Sequence, residues 1–203
     1  MRALLLVDLQ NDFMPGGALA VTGGDETVSI ANRLIPAFEL VIATQDWHPA
    51  DHGSFAACHE GRNPGEVVDL AGLQQMLWPV HCVQGSAGAA FHHNLDPRGQ
   101  VHVIRKGTIR DVDSYSGFFD NGGRHATSLE AFLRERNADE LFIMGLATDY
   151  CVKFTVLDAC RLGFRVNVIE DGCRAVNLDP GDGEKAFRDM EQAGARRIQN
   201  KDL

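Results

Sequence analysis

The sequence predicts an α/β protein in three layers, α/β/α, built on a mostly parallel sheet of about six strands. Three observations carry that expectation. Short apolar runs such as residues 3–7 and 141–147 are too uniform for strands with one wet face, and read as strands buried on both sides. Segments with helical spacing of apolar residues alternate with those runs, the order that βαβ units require. Finally, Asp8, Asp46, Lys106 and Cys151 each stand just after such a run, at the strand ends where open parallel sheets keep their ligands.

Residues 3–7 form the first expected strand, ending at Asp8, a carboxylate that also suits a plain turn. The run is too short for a secretion signal and no small-residue cleavage site follows it. Residues 10–24 contain Pro15-Gly16-Gly17 and Gly23-Gly24 and read as a loop with Phe13 as its only aromatic. Asp25 is the expected cap of a helix through Ile30, Leu34 and Phe38, bent or ended by Pro36. A second strand, residues 40–44, leads into Gln45-Asp46-Trp47-His48-Pro49-Ala50-Asp51-His52. Asp46 and His48, two apart, can chelate one ion from a turn, and His52 four residues on can complete the face. Two surface histidines beside a proline loop are the alternative.

Residues 53–99 read as a long irregular stretch with one helical pattern at 67–77, and a loop of that length in a compact domain is usually functional. Within Trp78-Pro79-Val80-His81-Cys82, His81 is the candidate for a further ligand; His59, His92 and His93 compete, and Cys82 is a soft alternative. Three imidazoles and a carboxylate suit one divalent ion, and ligand type does not choose among Zn, Fe, Mn and Ni.

The third strand, residues 101–105, delivers Lys106 just ahead of Gly107; such a lysine also snorkels to solvent. The aromatic loop at 113–120 carries three rings, Tyr115, Phe118 and Phe119, whose expected use is to line a pocket. Thr127-Ser128-Leu129-Glu130 has capping-box form and opens a helix to about Arg136. The central strand then passes through the turn Thr148-Asp149-Tyr150 to Cys151, in the first turn of a helix that closes at Gly163. Unpartnered N–H groups and the helix dipole favour a thiolate there, whereas the other four cysteines have no such setting and read as small buried hydrophobes. A fifth strand at 165–169, a helix opened by Pro180 and ending near Gly194, and a sixth strand at 195–199 complete the chain.

With 203 residues and 44% hydrophobic content the chain can bury one core, so residues 1–203 are expected to form a single domain. A net charge of −9 with scattered basic residues leaves no footprint for nucleic acid or an anionic membrane. Small molecules or proteins are the expected partners, and a homo-oligomer is left open. Five cysteines at irregular spacing do not form a disulfide framework and suit a reducing cytosol, so a cytoplasmic location is expected.

Several blocks together, Val7-Asp8-Leu9-Gln10-Asn11-Asp12-Phe13, Asp46-Trp47-His48, Trp78-Pro79-Val80-His81-Cys82, Lys106-Gly107, Tyr115-Ser116-Gly117-Phe118 and Ala147-Thr148-Asp149-Tyr150-Cys151-Val152, resemble the bacterial nicotinamidases, or pyrazinamidases, of the isochorismatase-like cysteine hydrolases. The match runs in order over nearly the whole chain. The resemblance implies the isochorismatase-like hydrolase fold and hydrolysis of nicotinamide to nicotinate and ammonia through a thioester on Cys151. It implies Asp8 as the proton-transfer carboxylate, Lys106 as the third member of the triad, and Asp46, His48, His52 and His81 as ligands of one Zn, Fe or Mn ion. It further implies an oxyanion hole from the backbone N–H groups of Ala147 and Cys151, a cis Leu146–Ala147 peptide, and substrate contacts from Phe13, Trp78, Tyr115 and Tyr150.

The residue types agree with that implication. An amide needs a nucleophile, donors for the tetrahedral oxyanion and a proton for departing ammonia, and Cys151, the turn amides and Asp8 supply these. Lys106 beside the thiol is expected to favour the thiolate. A related amidohydrolase acting on N-carbamoyl compounds is the second reading. A non-enzymatic metal or redox protein is the third, and it lacks a Cys-x-x-Cys pair and leaves Asp8 and Lys106 without a role.

Overall fold

The computed structural model of the chain describes residues 1–97, 99 and 101–203. Its elements follow one another as β1 (Arg2–Val7), α1 (Glu26–Leu34), β2 (Leu40–Asp46), β3 (Val67–Leu70), β4 (Leu73–Met76), β5 (Val101–Lys106), α2 (Leu129–Glu135), β6 (Glu140–Leu146), α3 (Lys153–Arg161), β7 (Arg165–Arg174), α4 (Asp182–Gln192) and β8 (Arg196–Ile198). Six strands make one sheet in the order β5-β2-β1-β6-β7-β8, and every neighbouring pair is parallel. The α/β class and the count of six strands are as the sequence predicts.

From β1 the chain steps outward through β2 to β5, returns to β6, and steps the other way to β7 and β8. Right-handed crossovers running in opposite directions put α1 and α3 on opposite faces of the sheet, and both pack on β7. The central strands are dry on both sides: Ala3 to Val7 are at most 1% exposed, so each leucine there contributes about 1.5–3 kcal/mol by burial. The reversal falls between β1 and β6, which pair with Val7 opposite Gly145. Gly145 has φ 129°, and a Cβ there would stand 2.2 Å from the Val7 carbonyl oxygen. Only glycine lets these two strands deliver Asp8 and the nucleophile turn side by side.

Four expectations change. Residues 67–76 form an antiparallel hairpin, β3–β4, rather than a helix. Ala71 and Gly72 both have positive φ, the turn that two-residue hairpins require, and the Asp69 carboxylate accepts the Gly72 N–H. The capping box at Thr127 does not close, because the Thr127 hydroxyl donates to the Gly117 carbonyl and accepts from the Leu129 N–H, one residue ahead of the position a box needs. Asp25 stands at the start of α1 but makes no side-chain cap bond. Finally, β7 runs on to Arg174 through a register shift against β6, past the expected end at residue 169. No helix among the described residues is long and apolar enough to cross a membrane.

Candidate active site

Four strand ends meet at the carboxyl edge of the sheet. β5 ends on Lys106, whose ammonium is fully buried and surrounded. Its Nζ donates to Asp46 Oδ1 at 2.7 Å, to the Ser114 carbonyl at 2.8 Å and to Cys151 Sγ at 3.3 Å, and lies 2.9 Å from Asp8 Oδ2. Asp8 is held from the other side, where Thr44 on β2 donates its hydroxyl to Asp8 Oδ1 at 2.6 Å. Lys106 is close to Asp8 Oδ2 but off the line of a hydrogen bond, which leaves that oxygen without an aligned donor. A carboxylate oxygen of Asp8 stands within 4.8 Å of the Cys151 thiol. Cys151 itself lies in a five-residue π turn, Thr148–Val152, ahead of α3 rather than in the first turn of that helix. The preceding Leu146–Ala147 peptide is cis, and the Ala147 carbonyl accepts from both Tyr150 and Val152 N–H.

Charge sets the protonation states. Burial pushes the Cys151 thiol well above its ordinary range; Lys106 pulls it down, but Asp8 and Asp46 push it up again. The thiolate expected from position and from Lys106 is therefore not the favoured resting form: desolvation of a fully buried sulfur between two carboxylates outweighs one ammonium. Burial also raises the Asp8 carboxyl above the usual range against the pull of Lys106, which makes it a stronger base. Lys106 stays charged, since the two carboxylates outweigh the burial that would lower it. Asp46 is held ionised, because Lys106 and His48 together override its own desolvation.

Asp46 connects this triad to a second cluster. The ligand atoms of Asp46, His48 and His81 lie within 4.8 Å of one another, all buried. His48 Nδ1 bonds the Gly107 carbonyl at 2.8 Å and His81 Nδ1 the Pro79 carbonyl at 2.8 Å. A backbone carbonyl only accepts, so Nδ1 carries a proton in each ring and the lone pair of the neutral ring is on Nε2. Burial alone would lower the His48 imidazole, but Asp46 beside it raises it above its ordinary 6.5, and a bound ion would take the place of that second proton. His48 Nε2 is buried with no hydrogen-bond partner among the described residues, 3.6 Å from Asp46 Oδ2. Burial lowers His81 to about 4, with His48 adding to the effect, so it is neutral, as a ligand must be. An orphaned imidazole lone pair beside an ionised carboxylate and a neutral imidazole fits a divalent ion, with the outer nitrogens fixed as such sites require.

His52 is placed differently. Its ring packs at a tilt against His48, 4.2 Å between centroids, but both nitrogens are engaged: Nδ1 accepts from the Ser54 N–H at 3.3 Å and meets the Ser54 hydroxyl, and Nε2 faces the Val112 carbonyl at 3.3 Å. It shares a metal-compatible cluster with His48 and Asp113, not with Asp46 and His81. Of the competitors, His59 bonds the Gly53 carbonyl, His92 pairs with His93 in a ring contact, and the Cys82 thiol is pushed far up by burial.

The pocket over Cys151 is lined by Phe13, Trp78, Tyr115 and Tyr150, with Asp46, His81, Ala147 and Cys151. Leu19, Val21, Asp113 and Val176 also line it and were not legible in the sequence. Leu19, Val21 and Val176 come from loops with no periodicity, and Asp113 opens the aromatic loop with no signal of its own. Of the three rings in that loop only Tyr115 reaches the pocket, while Phe118 is buried against Phe164 and Phe119 lies under Arg161.

Residues 2–202 match the isochorismatase domain family. Over 198 residues the chain is 60% identical to the nicotinamidase of Escherichia coli K12, covering 96% of this chain and 92% of that one. A solved nicotinamidase and pyrazinamidase of Acinetobacter baumanii superposes with a TM-score of 0.95 at 46% identity, covering 100% of this chain and 97% of that one. The pyrazinamidase of Pyrococcus horikoshii, solved in complex with zinc, superposes with a TM-score of 0.80 at 37% identity, each chain covered to 98%. With a buried Asp8–Lys106–Cys151 arrangement at the switch point of a parallel sheet, and a family match along almost its entire length, this chain belongs to the isochorismatase family of hydrolases.

Proposed function

We infer that this chain is a nicotinamidase, hydrolysing nicotinamide to nicotinate and ammonia through a thioester on Cys151, with pyrazinamide as a further substrate. The observation that carries the reading is the juxtaposition of Lys106 Nζ, 3.3 Å from Cys151 Sγ and 2.9 Å from Asp8, with the Asp46–His48–His81 cluster, of which Asp46 and His81 line the same aromatic pocket as Cys151. Residues 1–203 act as one domain, and the reducing cytosol is its proposed compartment.

Asp8 takes the thiol proton, and the sulfur attacks the carboxamide carbon. Backbone N–H groups of Ala147 and Cys151 receive the oxyanion. Asp8 returns the proton to the nitrogen, the C–N bond breaks, and ammonia leaves a thioester. Asp8 then deprotonates a water that attacks the thioester carbonyl, the C–S bond breaks as Asp8 returns that proton to the sulfur, and the acid product is freed. Lys106 holds Asp8 and Cys151 together and keeps the site's charge balanced. Asp46, His48 and His81 are the proposed ligands of one divalent Zn, Fe or Mn ion, with His52 and Asp113 behind them; when bound, the ion supplies a Lewis acid that orients the substrate ring nitrogen. Phe13 and Trp78 flank the flat ring, and Tyr115 and Tyr150 close the pocket.

Ammonia release from nicotinamide, pyrazinamide, benzamide and an N-carbamoyl amino acid, with one metal-loaded preparation, tests the reading. Nicotinamide and pyrazinamide are expected to turn over rapidly. Benzamide, which lacks the ring nitrogen, is expected to fall by about 10⁴-fold, the scale of discrimination when a polar partner is left unmade. Equal turnover of benzamide would show that the nitrogen is not read, and preference for the carbamoyl compound would move the activity to that class. Cys151→Ala is expected to lose on the order of 10³-fold or more while Cys58→Ala and Cys160→Ala retain activity.

A further inference from the structure

We propose that Gln75, on the β3–β4 hairpin, is the positioning residue that sets the shape of the substrate pocket, a role that rests on the nicotinamidase reading. Gln75 does not line the pocket, yet it is only 2% exposed and its amide contacts two residues that do. Its Nε2 lies 2.7 Å from the Met76 carbonyl, 3.1 Å from Asp113 Oδ2 and 3.1 Å from the Tyr115 hydroxyl. A carbonyl and a carboxylate only accept, so the amide nitrogen and not its oxygen must face them. Two hydrogens serve three acceptors, so at least one of them is shared.

Trp78 joins the same point, its Nε1 donating to the Tyr115 hydroxyl at 3.1 Å. The phenol oxygen therefore accepts from both Gln75 and Trp78, which fixes two pocket walls relative to each other. On the far side Asn121 closes the loop: its Oδ1 accepts the Tyr115 N–H at 2.9 Å, and its Nδ2 reaches Gln75 Oε1 at 3.4 Å. Tyr115 and Asp113 are thus tied through one buried amide, and Trp78 through the Tyr115 hydroxyl, on a hairpin that pairs with no strand of the main sheet among the described residues. Fully satisfied buried networks of this kind hold a unique geometry, and a partly broken one leaves unpaired polar groups in the wall.

The consequence is a division of labour: the main sheet places the nucleophile, and the hairpin sets the walls. Removing the amide should weaken substrate binding while leaving the chemistry of Cys151 intact. Gln75→Leu, of similar size but without donors, is expected to raise KM for nicotinamide about tenfold, to change kcat less than about threefold, and to leave the rate of Cys151 alkylation by iodoacetamide unchanged. Tyr115→Phe should also raise KM, and the double variant should be no worse than the more affected single one, because both act through the same oxygen. Gln75→Glu keeps the length and the acceptor for Asn121 but sets a carboxylate against Asp113, and should raise KM further; it serves if Gln75→Leu does not fold, judged by near-ultraviolet circular dichroism.

An unchanged KM in either folded Gln75 variant, a loss confined to kcat, or effects of Gln75→Leu and Tyr115→Phe that multiply would each overturn the proposal. A wild-type enzyme that fails to release ammonia from nicotinamide would instead overturn the activity on which it rests, and the two failures are separate readings of the same assay.

Discussion

His48 and His81 differ from His52 in one respect that decides what each can do. All three are buried imidazoles, but the first two spend Nδ1 on a backbone carbonyl and keep Nε2 free, whereas His52 has partners at both nitrogens. The ligand set that the resemblance implies thus separates into an inner trio with Asp46 and an outer His52 that packs on His48. Elemental analysis of purified variants checks this. His48→Ala and His81→Ala are expected to lose most of about one bound ion per chain, on the scale of the losses that follow removal of a ligand rather than its support. His52→Ala is expected to retain the ion with weaker affinity. Equal metal loss in all three would restore His52 to the inner set.

Among the elements, the junction after β5 governs both clusters at once. Gly107 has φ 63°, and a Cβ on it would come 2.4 Å from the His48 ring while its carbonyl fixes that same ring. Gly107→Ala is expected to lower stability by about 1–3 kcal/mol and to reduce metal content together, measured by denaturant midpoint and elemental analysis. A stable variant with full metal would show that the ring has room to move. The loop that follows is held by Asp120, whose carboxylate accepts from the N–H groups of Gly122, Arg124 and His125 and pairs with the His125 ring at 2.6 Å. Burial alone would raise this carboxyl, but the Arg124 N–H and the His125 side chain and N–H hold it below its ordinary 3.8. Its folded pKa is depressed, so the stability it contributes is present above about pH 3.8 and is lost as pH falls through the lower folded value. Asp120→Asn is expected to be less stable than wild type at pH 7 and to show a shallower loss on acidification below pH 4, followed by circular dichroism. Parallel acid curves would rule this carboxylate out as a contributor.

Taken as a whole, the chain builds its site from both ends of its sequence. Asp8 and Phe13 come from the start, Asp46 to His81 from the first half, and Lys106, Tyr115 and Cys151 from the second, and one apolar core runs from Ala3 to Ala195. A single cooperative unfolding transition is expected, with tryptophan fluorescence, which reports Trp47 and Trp78 in the loops, coinciding with far-ultraviolet circular dichroism, which reports the sheet. Separate midpoints would mean that the loops unfold as a unit of their own, against the single-domain proposal.

Apolar runs buried on both faces, alternating with helices, determined the parallel sheet, because a strand between two helix layers tolerates no polar face. Local sequence likewise set Asp8, Asp46, Lys106 and Cys151 at strand ends, since each stands within a few residues of the end of such a run. The helical pattern at residues 67–77 gives way to a hairpin because β-branched and apolar residues at short spacing fit either period, and the Ala71-Gly72 turn that decides between them is visible only as positive φ. The protonation state of Cys151 was also beyond the sequence. Its position spoke for a thiolate, but desolvation and two converging carboxylates, contributed by strands far apart in the chain, decided for the thiol. Which histidines keep a free lone pair, and that Gln75 and Asp113 belong to the site at all, followed from contacts between loops distant in sequence. No local pattern encodes such contacts, because they exist only once the sheet has brought those loops to one edge.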